Sequence, residues 1–226
     1  MKKFRTLSIG IMILSVFCST VRQIRPLDQG QSAMSISIGG PVTKIGTSYL
    51  PLPILAIGYN RGIIGNKLDL ETGFNITQIL FGILGIDAGV NYRPFMSDRA
   101  RPGLIATPKF FLFSDFSKKG NRIYPSLSLT PFWQVTPKVY LYTGIENWFE
   151  FHHKRGDGSE QKHHWLIAPY LGIDWGRRNF MFQAEFKVYV PNLSNTSRPT
   201  KNIGFGNYGI IGGFFGFNYL FDGWKK

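Results

Sequence analysis

Between residues 180 and 190, Phe180, Phe182, Ala184, Phe186, Val188 and Val190 occupy one set of alternate positions, and Met181, Gln183, Glu185, Lys187 and Tyr189 occupy the other. Successive side chains of a strand point to opposite faces, so this period of two describes a strand with one greasy and one polar side. The sorting recurs along the chain and yields ten candidate strands: Ala33–Gly40, Pro51–Asn60, Lys67–Ile76, Leu84–Phe95, Gly103–Phe116, Ile123–Gln134, Val139–His153, Lys162–Trp175, Asn179–Pro191 and Tyr208–Phe221. A chain patterned like this must hide one whole face of a sheet from water. What remains open is which face points inward.

The charges address that question. Lys67, Asp69, Glu71, Asp87, Arg93, Lys109, Glu146, Glu150, Asp174, Glu185 and Lys187 all fall on the polar phase, and the opposite phase carries none across the strand centres. A soluble lipocalin-like barrel or an aromatic-cored sandwich would alternate in the same way with the apolar set inside. Two features favour the reverse. Gly39, Gly58, Gly73, Gly89, Gly144, Gly172, Gly212 and Gly216 share the polar phase, where glycine weakens a solvent-facing strand but leaves room inside a narrow lumen. On the apolar phase, Trp165 and Trp175 flank Ile167, Pro169, Leu171 and Ile173. Residues spaced at about 3.3 Å along a strand tilted by about 40° carry these two tryptophans roughly 25 Å apart in height, which matches a lipid-facing band between aromatic girdles. Trp133 and Tyr219 hold comparable outward positions near strand ends, so the expected girdle is Trp165, Trp175, Trp133 and Tyr219.

Composition excludes other classes. The 226 residues suit one all-β domain, and beyond the N-terminus no run approaches the roughly 20 apolar residues of a spanning helix. Cys18 is the single cysteine, so the body can form neither an internal disulfide nor a thiolate metal site. The net charge of +13 calls for anionic surroundings. Because the basic residues are scattered among turns and rims instead of lining one groove, no nucleic-acid partner is expected. Lys118, Lys119, Arg122, Lys154, Arg155, Lys162, Arg198 and Lys201 fall in or beside one set of loops, where outer-membrane lipids and lipopolysaccharide phosphates would supply counter-charge.

At the N-terminus Lys2, Lys3 and Arg5 precede an apolar stretch from Leu7 to Phe17 and the small polar residues Ser19 and Thr20, the order of a signal peptide over residues 1–20. Leu14 to Phe17 precede Cys18 as in a lipobox, although Phe17 stands where a small residue is usual. The expected organisation is a periplasmic segment at 21–32, a barrel at 33–221 and a periplasmic tail at 222–226. Short turns alternate with longer loops along the chain, which places the N-terminus on the periplasmic side.

The last strand carries a more specific pattern: Gly216, Phe217, Asn218, Tyr219, Leu220, Phe221. It resembles the assembly signal of bacterial outer-membrane barrels, a glycine with aromatic or apolar residues three and five positions later, here Tyr219 and Phe221. The chain thereby resembles the general class of small single-chain outer-membrane barrels, except that Asp222 to Lys226 follow the final aromatic. The resemblance implies an all-β antiparallel transmembrane barrel of about ten strands, with eight or twelve as neighbouring even counts, and recognition by the barrel-assembly machinery.

Inside such a barrel, charges are costly unless paired, so Glu146, Glu150, Asp174, Glu185, Lys187, Lys109 and Arg93 are expected to form a structural salt-bridge network. Tyr124, Tyr140, Tyr142, Trp148, Tyr170 and Tyr189 would fill much of the remaining space and exclude an open porin. All four histidines lie in one hairpin. If its turn is centred on Gly158, His152 faces His164 and His153 faces His163, pairs that could take zinc or copper through neutral imidazoles or simply form a polar rim. No GxSxG elbow, HExxH helix or phosphate-binding glycine loop is present, so no catalytic residue or resident cofactor is assigned. The expected role is structural or loop-mediated binding. A barrel-embedded hydrolase acting on lipid or surface substrates through a rim histidine, Glu150 and a nearby serine is the next reading, and a narrow solute channel the third. Leu171→Arg is expected to be destabilising, and Gly172→Ser next to it mild.

Overall fold

The computed structural model describes residues 22–45, 47–98, 101–116, 120–154, 160–177, 179–196 and 202–221. The proposed signal peptide and Cys18, the tail at 222–226 and the rim cations Lys118, Lys119, Arg155, Arg198 and Lys201 lie outside the described residues. Eleven strands form: β1 (Ser32–Ile45), β2 (Ser48–Pro51), β3 (Ile54–Ile64), β4 (Leu68–Asn75), β5 (Ile83–Phe95), β6 (Gly103–Asp115), β7 (Gly120–Thr136), β8 (Val139–Phe149), β9 (Trp165–Arg177), β10 (Phe180–Ser194) and β11 (Tyr208–Phe221). A single helical turn, α1 (Ile76–Ile79), joins β4 to β5. Every wall strand pairs antiparallel with its sequence neighbour, and β11 pairs with β1 from Ser32↔Phe221 to Pro41↔Gly212. Closure satisfies the backbone without leaving an edge, as a sheet in hydrocarbon requires.

Ten strands make the wall, and β2 is an addition to it. It pairs only with the end of β1, Val42↔Pro51 to Ile45↔Ser48, where β1 has run past its partner β3. The expected single strand Pro51–Asn60 is therefore broken. Pro53, which has no N–H to donate, separates β2 from β3. Gly39 carries φ +149°, at the point where β1 exchanges β3 for β2; a Cβ there would meet Gly213 O at 2.2 Å and Phe214 Cα at 2.6 Å.

The faces divide as the charges indicate. Leu171, Trp165 and Trp175 are 57%, 60% and 56% exposed on the outside of β9, in company with Phe180 and Phe182 on neighbouring β10 and with Met34, Ile36 and Ile38 on β1. The inward positions hold buried Asp69, Glu71, Asp87, Arg93, Lys109, Glu146, Asp174 and Lys187. A soluble barrel reverses this polarity, so the chain is a transmembrane β-barrel. Trp165 donates from Nε1 to Asn147 Oδ1 at 3.0 Å, and Trp175 stacks on Phe182 with ring centroids 5.9 Å apart. Trp133 is also exposed, while Tyr219 is half-buried between the rings of Phe180 and Phe221.

Glycine makes the lumen fit its aromatics. Tyr170 pairs across the ladder with Gly144, and Tyr142 with Gly172. A Cβ on Gly144 would lie 2.5 Å from Tyr170 Oη, and one on Gly172 would lie 2.3 Å from Tyr142 Cζ. The expected mildness of Gly172→Ser is thus corrected: its polar face is right, but the space is already occupied.

The largest departure concerns residues 22–31, expected as a periplasmic segment. From β1 the chain turns back into the barrel, where Gln23, Ile24, Arg25 and Leu27 are buried. Leu27 packs with Ala33, Met181 and Leu220 at the mouth where β1 starts and β11 ends, and Ile24 packs deeper among Ile105, Phe132, Tyr140, Tyr142 and Tyr170. Hydrogen bonds Gly30 N→Gly62 O, Gly62 N→Gln31 O and Asn66 N→Leu27 O fix the turn that redirects it.

Candidate functional site

The lumen is filled in two layers. In the half nearer the mouth that Leu27 occupies, and at mid-height, lie the charges, arranged as separate groups. Glu146 accepts from Lys187 Nζ at 2.8 Å and from Arg22 Nη2 at 2.8 Å, and Arg22 Nε reaches Glu185 at 3.1 Å. The Arg22 guanidinium also donates to Ser128 Oγ and lies 3.8 Å from the centre of the Tyr170 ring. Nearer the mouth, Arg25 Nε meets Asp174 Oδ1 at 2.6 Å, with Nη2 on the Lys138 carbonyl. On the opposite wall Lys109 bridges Glu71 and Asp87, and Arg93 pairs with Asp69. On that same wall Asn91 donates to Glu71 and accepts from Thr107.

The half of the lumen away from that mouth is apolar. Phe111 stacks on Trp148 with centroids 3.9 Å apart, alongside Ile83, Phe113 and Tyr124. A second cluster of Ala168, Tyr189, Val190, Ile210 and Phe214 lies opposite, and Leu166 packs against both. Interiors of this kind are close-packed, with few voids larger than a water molecule.

Of the seven residues expected as one lumen network, the structure joins Glu146, Glu185 and Lys187 directly. It pairs Asp174, Lys109 and Arg93 with partners outside that set, and it places Glu150 elsewhere. Glu150 belongs to the rim at the opposite end from Leu27, where its carboxylate meets Arg122 Nη1 at 3.4 Å and both the backbone N and Nδ1 of His152 at 2.8 Å. Two lumen cations escaped the sequence reading. Arg22 and Arg25 sit in a stretch without alternation, and their carboxylates lie more than 120 positions away. An excess of acid over base on the inward phase was the available clue.

The histidine register is also corrected. β8 and β9 pair as Phe149↔Trp165, the hairpin continues to Lys154↔Glu160, and Gln161 N donates to His153 O. That register is two residues away from the one expected about Gly158, so His164 lies opposite Glu150 and donates from Nδ1 to its carbonyl at 2.7 Å. A two-residue shift leaves every side chain on its face, so alternation cannot distinguish the two registers. The nearest imidazoles are His153 and His164, with ring centroids 6.0 Å apart. Among the described residues no three of His, Cys, Asp and Glu converge as metal ligands.

No protein-family model matches the sequence, and no curated protein does. Similar folds occur among solved structures. The Yersinia pestis outer membrane protein Ail, in a phospholipid bilayer nanodisc, is 16% identical, with 85% of this chain and 100% of that one covered and a TM-score of 0.38. The translocator domain of the autotransporter NalP from Neisseria meningitidis is 9% identical over 97% and 95% of the two chains, with a TM-score of 0.46. A FadL homologue of Pseudomonas aeruginosa is 9% identical over 88% and 65%, at 0.37. A closed ten-stranded antiparallel barrel, apolar outside and charged within, is an architecture of the bacterial outer membrane. This chain is an outer-membrane β-barrel.

Proposed function

We propose that this barrel acts through its outer rim, as a structural or binding protein facing anionic surface groups, with lipopolysaccharide phosphates as the first candidates. The observation that carries the reading is the double closure of the lumen. The N-terminal segment occupies its periplasmic half, and the aromatic and aliphatic clusters occupy its outer half. Chemistry is left to the rim, where Arg122 is half-buried and Lys154 and Lys162 are exposed; of the rim's described carboxylates, Glu150 is buried under Arg122 and His152, and the exposed Glu160 lies opposite Lys154 in the backbone ladder.

Two measurements test this. In planar bilayers the purified protein is expected to show no steady conductance, and a stable ohmic current would refute the sealed lumen. In nanodiscs, binding of lipopolysaccharide is expected to weaken for Lys154→Glu, Lys162→Glu and to be weak for dephosphorylated lipopolysaccharide. Equal affinity in all three cases would remove the phosphate reading.

One observation favours a hydrolase as the second reading: Glu150 Oε1 holds His152 through Nδ1, the orientation that leaves Nε2 free as a base. A base needs a nucleophile within reach, and among the described residues no serine or threonine hydroxyl bonds to His152. Turnover of ester-linked acyl substrates that disappears in His152→Ala would reverse the order of the two readings.

A further inference from the structure

The outer wall carries few charges, and one of them lies among apolar side chains. On the described strands the outward positions with charged side chains are Lys44, Arg61 and Arg177. Lys44 stands on the β1–β2 extension, its Nζ 5.9 Å from the centre of the Tyr49 ring, and Arg177 ends β9 beyond Trp175. Arg61 instead sits inside β3, on the outward stripe of Leu55, Ile57 and Tyr59, and the exposed Ile63 and Ile64 follow it toward the mouth. Its ladder neighbours are Ser32 on β1 and Leu70 on β4. Among the described residues no carboxylate pairs with it. A charge on a lipid-facing wall is costly unless it reaches water or a counter-charge.

The side chain of Arg61 is held against the wall. Its Nη1 donates to Ser32 Oγ at 3.3 Å, and Ser32 Oγ lies 2.9 Å from Tyr59 Oη. Ser32 is buried beneath its two partners, whereas Arg61 and Tyr59 are exposed. A hydroxyl accepts and donates at once. In the direction Arg61 to Ser32 to Tyr59, the phenol hydrogen therefore remains for an acceptor on the lipid side, as do further N–H groups of the guanidinium. Around this polar spot Met34, Leu70 and Phe221 are exposed, and Ile36 continues the apolar surface up the wall. An acceptor that suits the place carries a negative charge at one end and hydrocarbon at the other.

We infer that Arg61, Tyr59 and Ser32 form a headgroup site for one anionic glycerophospholipid. Its phosphate pairs with the Arg61 guanidinium and accepts from Tyr59, while its acyl chains lie along Met34, Ile36 and Leu70. The planar fork of an arginine matches two oxygens of a phosphate, so the pair is directional as well as charged. A single guanidinium answers the single charge of a phosphodiester. A lipid with several phosphates calls for a wider basic cluster, and Met34, Leu70 and Phe221 around Arg61 offer none. The site lies on the lipid face beside the mouth where β1 starts, at the opposite end from Arg122 and Lys154, and it stands apart from the reading given for that rim.

The test uses the purified protein, stripped of lipid in detergent, and native mass spectrometry with added dioleoyl phosphatidylglycerol. The wild type is expected to retain one lipid. Arg61→Gln should weaken that binding at least about tenfold, as the loss of a charge-assisted bidentate pair does, and Tyr59→Phe by about two- to fivefold. Arg177→Gln makes the same charge change on the same face, beside Phe180 instead of the two hydroxyls, and should bind as the wild type does. Glycerol phosphate at equal concentration should not displace the lipid, which separates a lipid headgroup from a free phosphate. Heat-modifiable migration checks that each variant is folded. Because a ligand of the folded state raises its stability, phosphatidylglycerol should also raise the unfolding midpoint of the wild type and Arg177→Gln but not that of Arg61→Gln. A wild type that retains no lipid, undiminished binding by Arg61→Gln, equal losses in Arg61→Gln and Arg177→Gln, or displacement by glycerol phosphate would each overturn the inference.

Discussion

Replacing Arg25 by methionine removes the described cation that pairs with Asp174, leaving a carboxylate that is 1% exposed. Breaking one partner out of a buried ion pair costs about 3 to 5 kcal/mol, because the remaining charge keeps its desolvation penalty without its attraction. Arg25 also donates to the Lys138 carbonyl at 2.6 Å, and its guanidinium lies 5.0 Å from the Tyr140 ring centre, so the upper part of that range applies. Asp174→Asn alone should cost about the same, by stranding the guanidinium. The double variant removes both charges and should recover most of the loss, leaving a coupling of at least about 2 kcal/mol, whereas independent sites add to within about 0.5 kcal/mol. Urea unfolding in phospholipid vesicles, followed through the five tryptophans, measures all four corners of the cycle. Additive losses would mean that Arg25 and Asp174 do not meet, and the segment would then not be inside the barrel.

On the lipid face, Leu171→Arg is expected to cost about 2 to 4 kcal/mol in the same unfolding assay if it lies near the bilayer midplane; an unchanged midpoint would count against the orientation of the wall. Gly172→Ser should cost about 1 to 3 kcal/mol by overpacking against Tyr142. Gly213→Ser, where an added Cβ meets nothing within 4 Å, should be nearly neutral, and equal effects at the two sites would contradict the tyrosine packing. Zinc titration of the histidine hairpin should give at most weak binding, lost in His153→Ala, His164→Ala and retained in His152→Ala, whose ring is held by Glu150; the opposite pattern would restore the His152 pair. Replacing Tyr219 and Phe221 with alanine should lower the yield of folded protein in the outer membrane without lowering synthesis, as quantified by heat-modifiable migration, if the last strand is read by the assembly machinery.

Alternation determined the wall because it reports which way each side chain points. From it followed the polarity of the barrel, the number of its wall strands and the inward placement of Glu146, Asp174, Glu185, Lys187, Lys109 and Arg93. A period of two is blind to a shift of two, however, so the histidine hairpin pairs Lys154 with Glu160, two positions from the register expected about Gly158, and the pair that approaches is His153 with His164. Alternation is equally silent about space. Nothing local to Gly172 tells that Tyr142 fills the room left by its missing Cβ. Residues 22–31 have no period at all, and their place was decided by what ten strands jointly create: a narrow cavity lined with more carboxylates than cations and a greasy shelf of Ile105, Phe132 and Tyr140. Arg22, Ile24, Arg25 and Leu27 answer those needs, but the needs exist only once the sheet has closed.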